Sequence, residues 1–164
     1  MGLVSAAEER VSCLHFRVAC VFVKDRVIVG QGYNGSPRGF PNCDEAGCAK
    51  DTGGRCVGVH AEINAIIFCG ASPYEKLAGA TAYVSVLPCK DCMLALMQAG
   101  IRRIVFGSDY LRREINQDGK FQLQTDTQTV SLRLAKQAGI QVERYIPETG
   151  KTEIIVKGRE RKEE

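Results

Sequence analysis

The chain has 164 residues, 45% hydrophobic and 25% charged, with a formal net charge of +3. That is enough for one compact domain with its own core and too few for two ordinary ones. The mild charge lacks the dense basic stripe of a nucleic-acid binder, and no run of about 18 apolar residues is present to span a bilayer.

Glu8, Glu9 and Arg10 stand where an export signal needs an apolar run. The expected setting is therefore the reducing cytoplasm. There, eight cysteines point to metal or catalysis before disulfides. Cys20 and Cys69 sit among apolar residues and read as core thiols. The other six need a role.

Residues 5–14 predict a short opening helix. Residues 17–23 and 27–33 are rich in Val, Ile and Phe and flank Lys24-Asp25-Arg26, which predicts a β-hairpin. Residues 34–57 form a long loop with five glycines, two prolines and three cysteines. Loops of that length are uncommon unless they are functional or held by something. Residues 60–69 carry Ile63, Ile66 and Ile67 at helical spacing and stop at Gly70. A strand over 80–87, a helix over 89–99 closed by Gly100, and a strand over 102–106 follow. Residues 107–126 are polar and irregular. An amphipathic helix over 127–138 ends at Gly139, a strand covers 141–145, and 152–156 is a candidate last strand.

Residues 1–156 thus read as a single domain. Residues 157–164, where Lys157, Arg159, Arg161 and Lys162 mix with Glu160, Glu163 and Glu164, read as a flexible charged tail. A hairpin followed by alternating helices and strands implies an α/β fold with a mixed sheet and helices on both faces.

Two short motifs open the two central helices: His60-Ala61-Glu62 and Pro88-Cys89-Lys90-Asp91-Cys92. One imidazole and two thiolates give zinc three protein ligands and leave a fourth position for water. The metal brings the pKa of that water toward ~7. A carboxylate beside it, not bound to metal, can move the protons. Cys89 and Cys92 fall on one face of a first helical turn, where the helix dipole favours thiolates. Two residues of separation let His60 aim at zinc and Glu62 past it. Taken singly, Cys-x-x-Cys also fits a redox pair or half a structural zinc site, and His-x-Glu arises by chance. Together, each at a helix start, they match the His-x-Glu and Pro-Cys-x-x-Cys signature of zinc nucleobase deaminases.

At these residues the chain resembles the cytidine and deoxycytidylate deaminase superfamily, and within it the deoxycytidylate branch. The likeness runs from about Cys13 to Tyr145. It includes Gly32-Tyr33-Asn34-Gly35-Ser36-Pro37, the stretch from Asn42-Cys43 to Gly47-Cys48, Cys56, and the helix start His60-Ala61-Glu62-Ile63-Asn64-Ala65-Ile66.

The resemblance implies a three-layer α/β/α fold with a mixed five-stranded sheet. It implies that His60, Cys89 and Cys92 hold a catalytic zinc and that Glu62 is the proton shuttle. Asn34 would bond the sugar hydroxyl, and the Ala61 N–H would read the pyrimidine 2-carbonyl. Cys13, Cys43, Cys48 and Cys56 would hold a second, structural zinc that ties the long loop to the opening helix. His15 reads as a strand-edge or surface histidine. The substrate would be deoxycytidine monophosphate (dCMP), converted to dUMP and ammonia. The loop of Gly32, Tyr33, Asn34, Gly35, Ser36, Pro37 and Arg38 would serve nucleotide binding, with dCTP as activator and dTTP as inhibitor. Arg38 is the candidate phosphate contact. The family implies a homo-oligomer, built from dimers up to a hexamer. Neither a membrane nor nucleic acid is an expected partner.

The chain departs from the family pattern in three places. Its first helix is short. Val86-Leu87-Pro88 lacks the small polar residue usual before Pro-Cys. In the 107–126 insert, Leu111 separates Tyr110 from Arg112, near where relatives place a Tyr-Arg pair over the substrate. Two other readings compete. One is a tRNA adenosine or guanine deaminase of the same superfamily, against which the Gly-Tyr-Asn-Gly loop and the extra cysteines stand. The other is a non-catalytic zinc-binding accessory protein in nucleic-acid uptake, against which the intact Glu62 stands.

Overall fold

The computed structural model describes residues 1–54, 56–108, 113–115, 121–123 and 125–159. Helix α1 (Gly2–Glu8) precedes a hairpin of β1 (Ala19–Lys24) and β2 (Val27–Tyr33). Asp25 and Arg26 both take positive φ, 49° and 65°. That two-residue turn matches the strand twist. The chain continues through α2 (Cys43–Ala46), α3 (Ala61–Phe68), α4 (Pro73–Leu77), β3 (Thr81–Val86), α5 (Lys90–Gln98) and β4 (Arg103–Ser108). Then come β5 (Arg113–Ile115), β6 (Phe121–Leu123), α6 (Thr125–Ala138), β7 (Gln141–Ile146) and β8 (Lys151–Val156).

The main sheet has six strands in the order β2-β1-β3-β4-β7-β8. β1 is antiparallel to β2 and β3, β4 runs parallel to β3 and β7, and β8 returns antiparallel to β7. The mixed sheet with helices on both faces is as expected, but the count is six rather than five. The sixth strand, beyond the count that the resemblance implied, is β8, the candidate last strand over 152–156, an edge whose only buried residue is Val156.

Residues alternate across β1. Cys20 and Phe22 enter the main core with Ala61 and Ala65 of α3, Met93 and Leu96 of α5, and Ala135 of α6. Ala19 and Val21 point the other way, onto Val4 of α1. Cys20 and Cys69 are buried core thiols, as expected.

Several boundaries differ from the sequence expectation. The opening helix covers Gly2–Glu8 rather than 5–14. Leu14, 64% exposed, gives a longer helix nothing to bury. The 107–126 segment is not wholly irregular: Gly107 and Ser108 finish β4, β5 pairs with β6, and α6 begins at Thr125. Tyr110 and Arg112 lie outside the described residues, as do residues 160–164 of the charged tail. Arg159 is described: its N–H donates to the Gly139 carbonyl (3.1 Å) and its guanidinium to the Gln137 carbonyl (3.0 Å).

Candidate metal centre and active site

Sheet and helices bring the two motifs face to face. β3 ends at Val86 and hands the chain through Leu87 and Pro88 to Cys89, the N-cap of α5. His60 is the N-cap of α3, and Ala61 and Glu62 open that helix. α3 can lie close on β2 because β2 presents glycine there. A Cβ on Gly32 would stand 2.3 Å from the Ala65 N and 2.6 Å from the Ala61 O.

The result is a cluster of three donors. His60 Nδ1 lies 3.5 Å from Cys89 Sγ and 3.3 Å from Cys92 Sγ, and all three ligand atoms fall within 4.8 Å of one another. His60 is exposed, Cys89 half-buried and Cys92 buried. A single imidazole nitrogen cannot satisfy two sulfurs by donating one proton. A tetrahedral zinc with bonds of about 2.0–2.3 Å would set such ligands about 3.6 Å apart. The donor set therefore fits zinc.

Electrostatics favour a shared negative charge on the sulfurs. Hydrogen bonding from Cys92, aided by His60, lowers the Cys89 thiol to about 4. Cys92 keeps its proton: its hydrogen bond to the Cys89 thiolate and its burial push it far up. The Cys89 thiolate also raises the imidazolium pKa of His60. Glu62 is 4% exposed. Burial lifts its carboxyl above the usual range, while a hydrogen bond from its own backbone opposes the shift. A carboxyl whose pKa is raised in that way is suited to take a proton and return it.

A cavity of about 700 Å³ opens over this cluster, lined by His60, Ala61, Glu62 and Cys89. Of the loop read as nucleotide-binding, Asn34 and Gly35 line it, while Arg38 is exposed outside the lining. Gly32 and Tyr33 belong to β2 rather than to a loop. Gly35 bridges Val59 through paired backbone bonds of 3.2 and 2.8 Å. Ser36 Oγ lies 3.8 Å from Cys43 Sγ. Asn34 is engaged from both ends of its amide: Oδ1 accepts from the Val18 N–H (2.8 Å) and Nδ2 donates to the Phe16 carbonyl (2.9 Å).

The remaining cysteines gather only in part. Cys48 and Cys56 sulfurs are 3.2 Å apart. The bond to Cys56, with burial and nearby Cys43, pushes the Cys48 thiol up to about 12. Cys13 takes the Phe16 N–H at 3.4 Å and, with Cys43, lines the same cavity. Among the described residues, only His60, Cys89 and Cys92 bring three ligand atoms within metal-binding distance. His15 is exposed.

Phe16, Val18, Asp51 and Val130 also line the cavity. Nothing in the sequence marked them, because each arrives there through tertiary packing. Buried Ser131 was likewise unmarked; its hydroxyl donates to the Pro88 carbonyl at 2.7 Å.

Residues 1–108 match the family model described as the cytidine and deoxycytidylate deaminase zinc-binding region. The chain is 33% identical over 159 residues to the deoxycytidylate deaminase of Schizosaccharomyces pombe, covering 90% of this chain and 43% of that one. It is 38% identical over 119 residues to the deoxycytidylate deaminase of Mycobacterium phage D29, covering 65% of this chain and 89% of that one. Among solved structures, the dCMP deaminase of cyanophage S-TIM5, in complex with dCMP and dUMP, has the same fold. Its TM-score is 0.63 at 22% identity, covering 87% of this chain and 91% of that one. With the family model spanning most of the chain and the donor cluster in place, the chain belongs to the cytidine and deoxycytidylate deaminase family, in its deoxycytidylate branch.

Proposed function

We propose that this chain hydrolyses the exocyclic amine of dCMP, giving dUMP and ammonia. The observation that carries this reading is the buried Glu62 beside the His60, Cys89 and Cys92 donor cluster, in a cavity of about 700 Å³. That size suits a small-molecule ligand. The names of the S. pombe and phage D29 relatives support the choice of dCMP.

His60, Cys89 and Cys92 would hold zinc, which when bound supplies Lewis acidity and activates water near neutral pH. Glu62 takes the proton of the attacking water. It delivers that proton to the ring nitrogen, then takes the proton of the hydroxyl newly bound to the ring carbon and passes it to the leaving amine as the C–N bond breaks and the carbonyl forms. The Ala61 N–H, which has no acceptor within its own helix, donates to the pyrimidine 2-carbonyl. Asn34 has one N–H and one lone pair left for the sugar hydroxyl. The phosphate points toward Lys90, the one Lys or Arg among the described lining residues.

Three further elements belong to the same reading. Cys13, Cys43, Cys48 and Cys56 would hold a second zinc, dCTP and dTTP would act through the 32–38 loop, and the chain would form a dimer-based homo-oligomer. One zinc per chain by metal analysis, flat rates across a triphosphate titration, or a monomeric mass by light scattering would remove each in turn. The domain itself would be 1–156.

A substrate panel tests the central choice. With zinc-loaded protein, dCMP should give a higher kcat/KM than deoxycytidine or CMP, and tRNA should be untouched. Turnover of tRNA with dCMP left intact would overturn the assignment.

A further inference from the structure

α6 carries a serine whose hydroxyl does something unusual for its position. Ser131 is 0% exposed, within a helix whose Ala135, Leu132 and Leu134 pack into the main core. An alanine there would favour the helix more. A serine inside a helix commonly turns back to a carbonyl of its own preceding turn. Ser131 Oγ instead donates across to another element, the carbonyl of Pro88, at 2.7 Å.

That carbonyl belongs to the peptide linking Pro88 to Cys89. The proline ring fixes its own φ, so the orientation of this peptide turns on ψ of Pro88. A bond to the carbonyl oxygen fixes that angle. The same peptide plane carries the Cys89 N–H, and Cys89 leaves it at φ −67° and ψ 170° as the N-cap of α5. The direction of the Cys89 side chain is thereby tied to α6, the helix whose Val130 lines the cavity.

We infer that Ser131 is a positioning residue for the metal centre, holding Cys89 in ligating orientation through the Pro88 carbonyl. This rests on reading His60, Cys89 and Cys92 as a zinc site. Residues that orient metal ligands from behind govern metal affinity as well as rate. An unpartnered buried carbonyl would be free to rotate its peptide, and the Cys89 sulfur with it.

The test measures zinc affinity by competition with a chromophoric chelator. It compares the parent protein with Ser131→Ala, Ser131→Thr, Ser131→Val, Ser85→Ala and His60→Ala. Threonine and valine have nearly the same shape at this site and differ in the hydroxyl. Ser85 is also a buried serine, bonded to Ala19 N–H and carbonyl at 2.9 and 3.2 Å on the opposite sheet face.

Ser131→Ala and Ser131→Val should bind zinc about 10–100-fold more weakly. Ser131→Thr should stay close to the parent, and Ser85→Ala should lose stability without losing zinc. Cobalt-loaded Ser131→Ala should show altered tetrahedral absorption bands that Ser131→Thr restores. Equal affinities for the Thr and Val variants, or a parent-like Ser131→Ala, would overturn the inference and leave the zinc site standing. Parent-like affinity in His60→Ala would overturn the zinc site and this inference together.

Discussion

At the residue scale, the site depends on a thiolate that exists before any metal arrives. Cys89 accepts a hydrogen bond from Cys92 and another from His60, and its thiol falls to about 4. A lowered pKa means that the ionised form persists as pH falls, until about pH 4 is reached. At pH 6 an ordinary thiol, with a pKa near ~8.5, is almost wholly protonated. Iodoacetamide at that pH should therefore modify Cys89 first in metal-free protein, and added zinc should stop it. Peptide mapping by mass spectrometry reads the result. A rate for Cys89 that rises only around pH 8–9 would contradict the shift.

These residues were legible because the chemistry lies in short motifs at helix starts. Asn34 was legible as part of a motif but not in its contacts. Its amide caps the backbone of Phe16 and Val18, a segment distant in sequence. Ser131 was invisible for the same reason: its partner, Pro88, lies 43 positions away.

At the element scale, the decisive contact is α3 on β2. Gly30 and Gly32 face Ala61 and Ala65 of α3 and Cys69 at its C-cap, which recur every fourth residue. That places one small-residue stripe on another. A side chain on Gly32 meets backbone atoms at 2.3 and 2.6 Å, and these cannot rotate aside. Gly32→Ala should therefore displace α3, carrying His60 and Glu62 with it. We expect a stability loss of about 1–3 kcal/mol together with weaker zinc binding. Gly2→Ala, whose Cβ meets nothing within 4 Å, should melt at or above the parent temperature. Calorimetry on the pair decides. A Gly32→Ala protein as stable as its parent would show that the interface tolerates a shift.

The long helices and core strands were read from apolar periodicity. The short elements were not. α2 follows Asn42 and places Glu45 three residues on, where its carboxylate accepts the Asn42 N–H at 3.2 Å. That capping pattern was present in the sequence but lay inside a loop rich in glycine and proline. α4, with Pro73 at its first turn, was hidden by its five-residue length. Strand β8, read from the sequence only as a candidate over 152–156, is exposed except at Val156.

At the scale of the whole molecule, the sheet order places β3 between β1 and β4. The carboxyl end of β3 thus delivers the Pro88–Cys92 segment beside the opening of α3. Sequence could supply the alternation of elements and not this order, because pairing is set by which faces bury together. The second cysteine group lies between these cases. Cys13, Cys43, Cys48 and Cys56 were grouped by the family resemblance and come from separate stretches. The Cys48 and Cys56 sulfurs lie 3.2 Å apart, and among the described residues the four form no cluster of three ligand atoms within metal-binding distance. Among the described residues, no helix is long and apolar enough to cross a membrane.

The role proposed for Glu62 is to move the protons of a zinc-dependent deamination. Its most direct measurement is ammonia release from dCMP by zinc-loaded parent protein beside zinc-loaded Glu62→Ala. Release by the parent and a loss of at least about 100-fold in the variant, with zinc content unchanged, are the expected results. Equal release by both proteins, or none from a parent shown to hold zinc, would contradict that role.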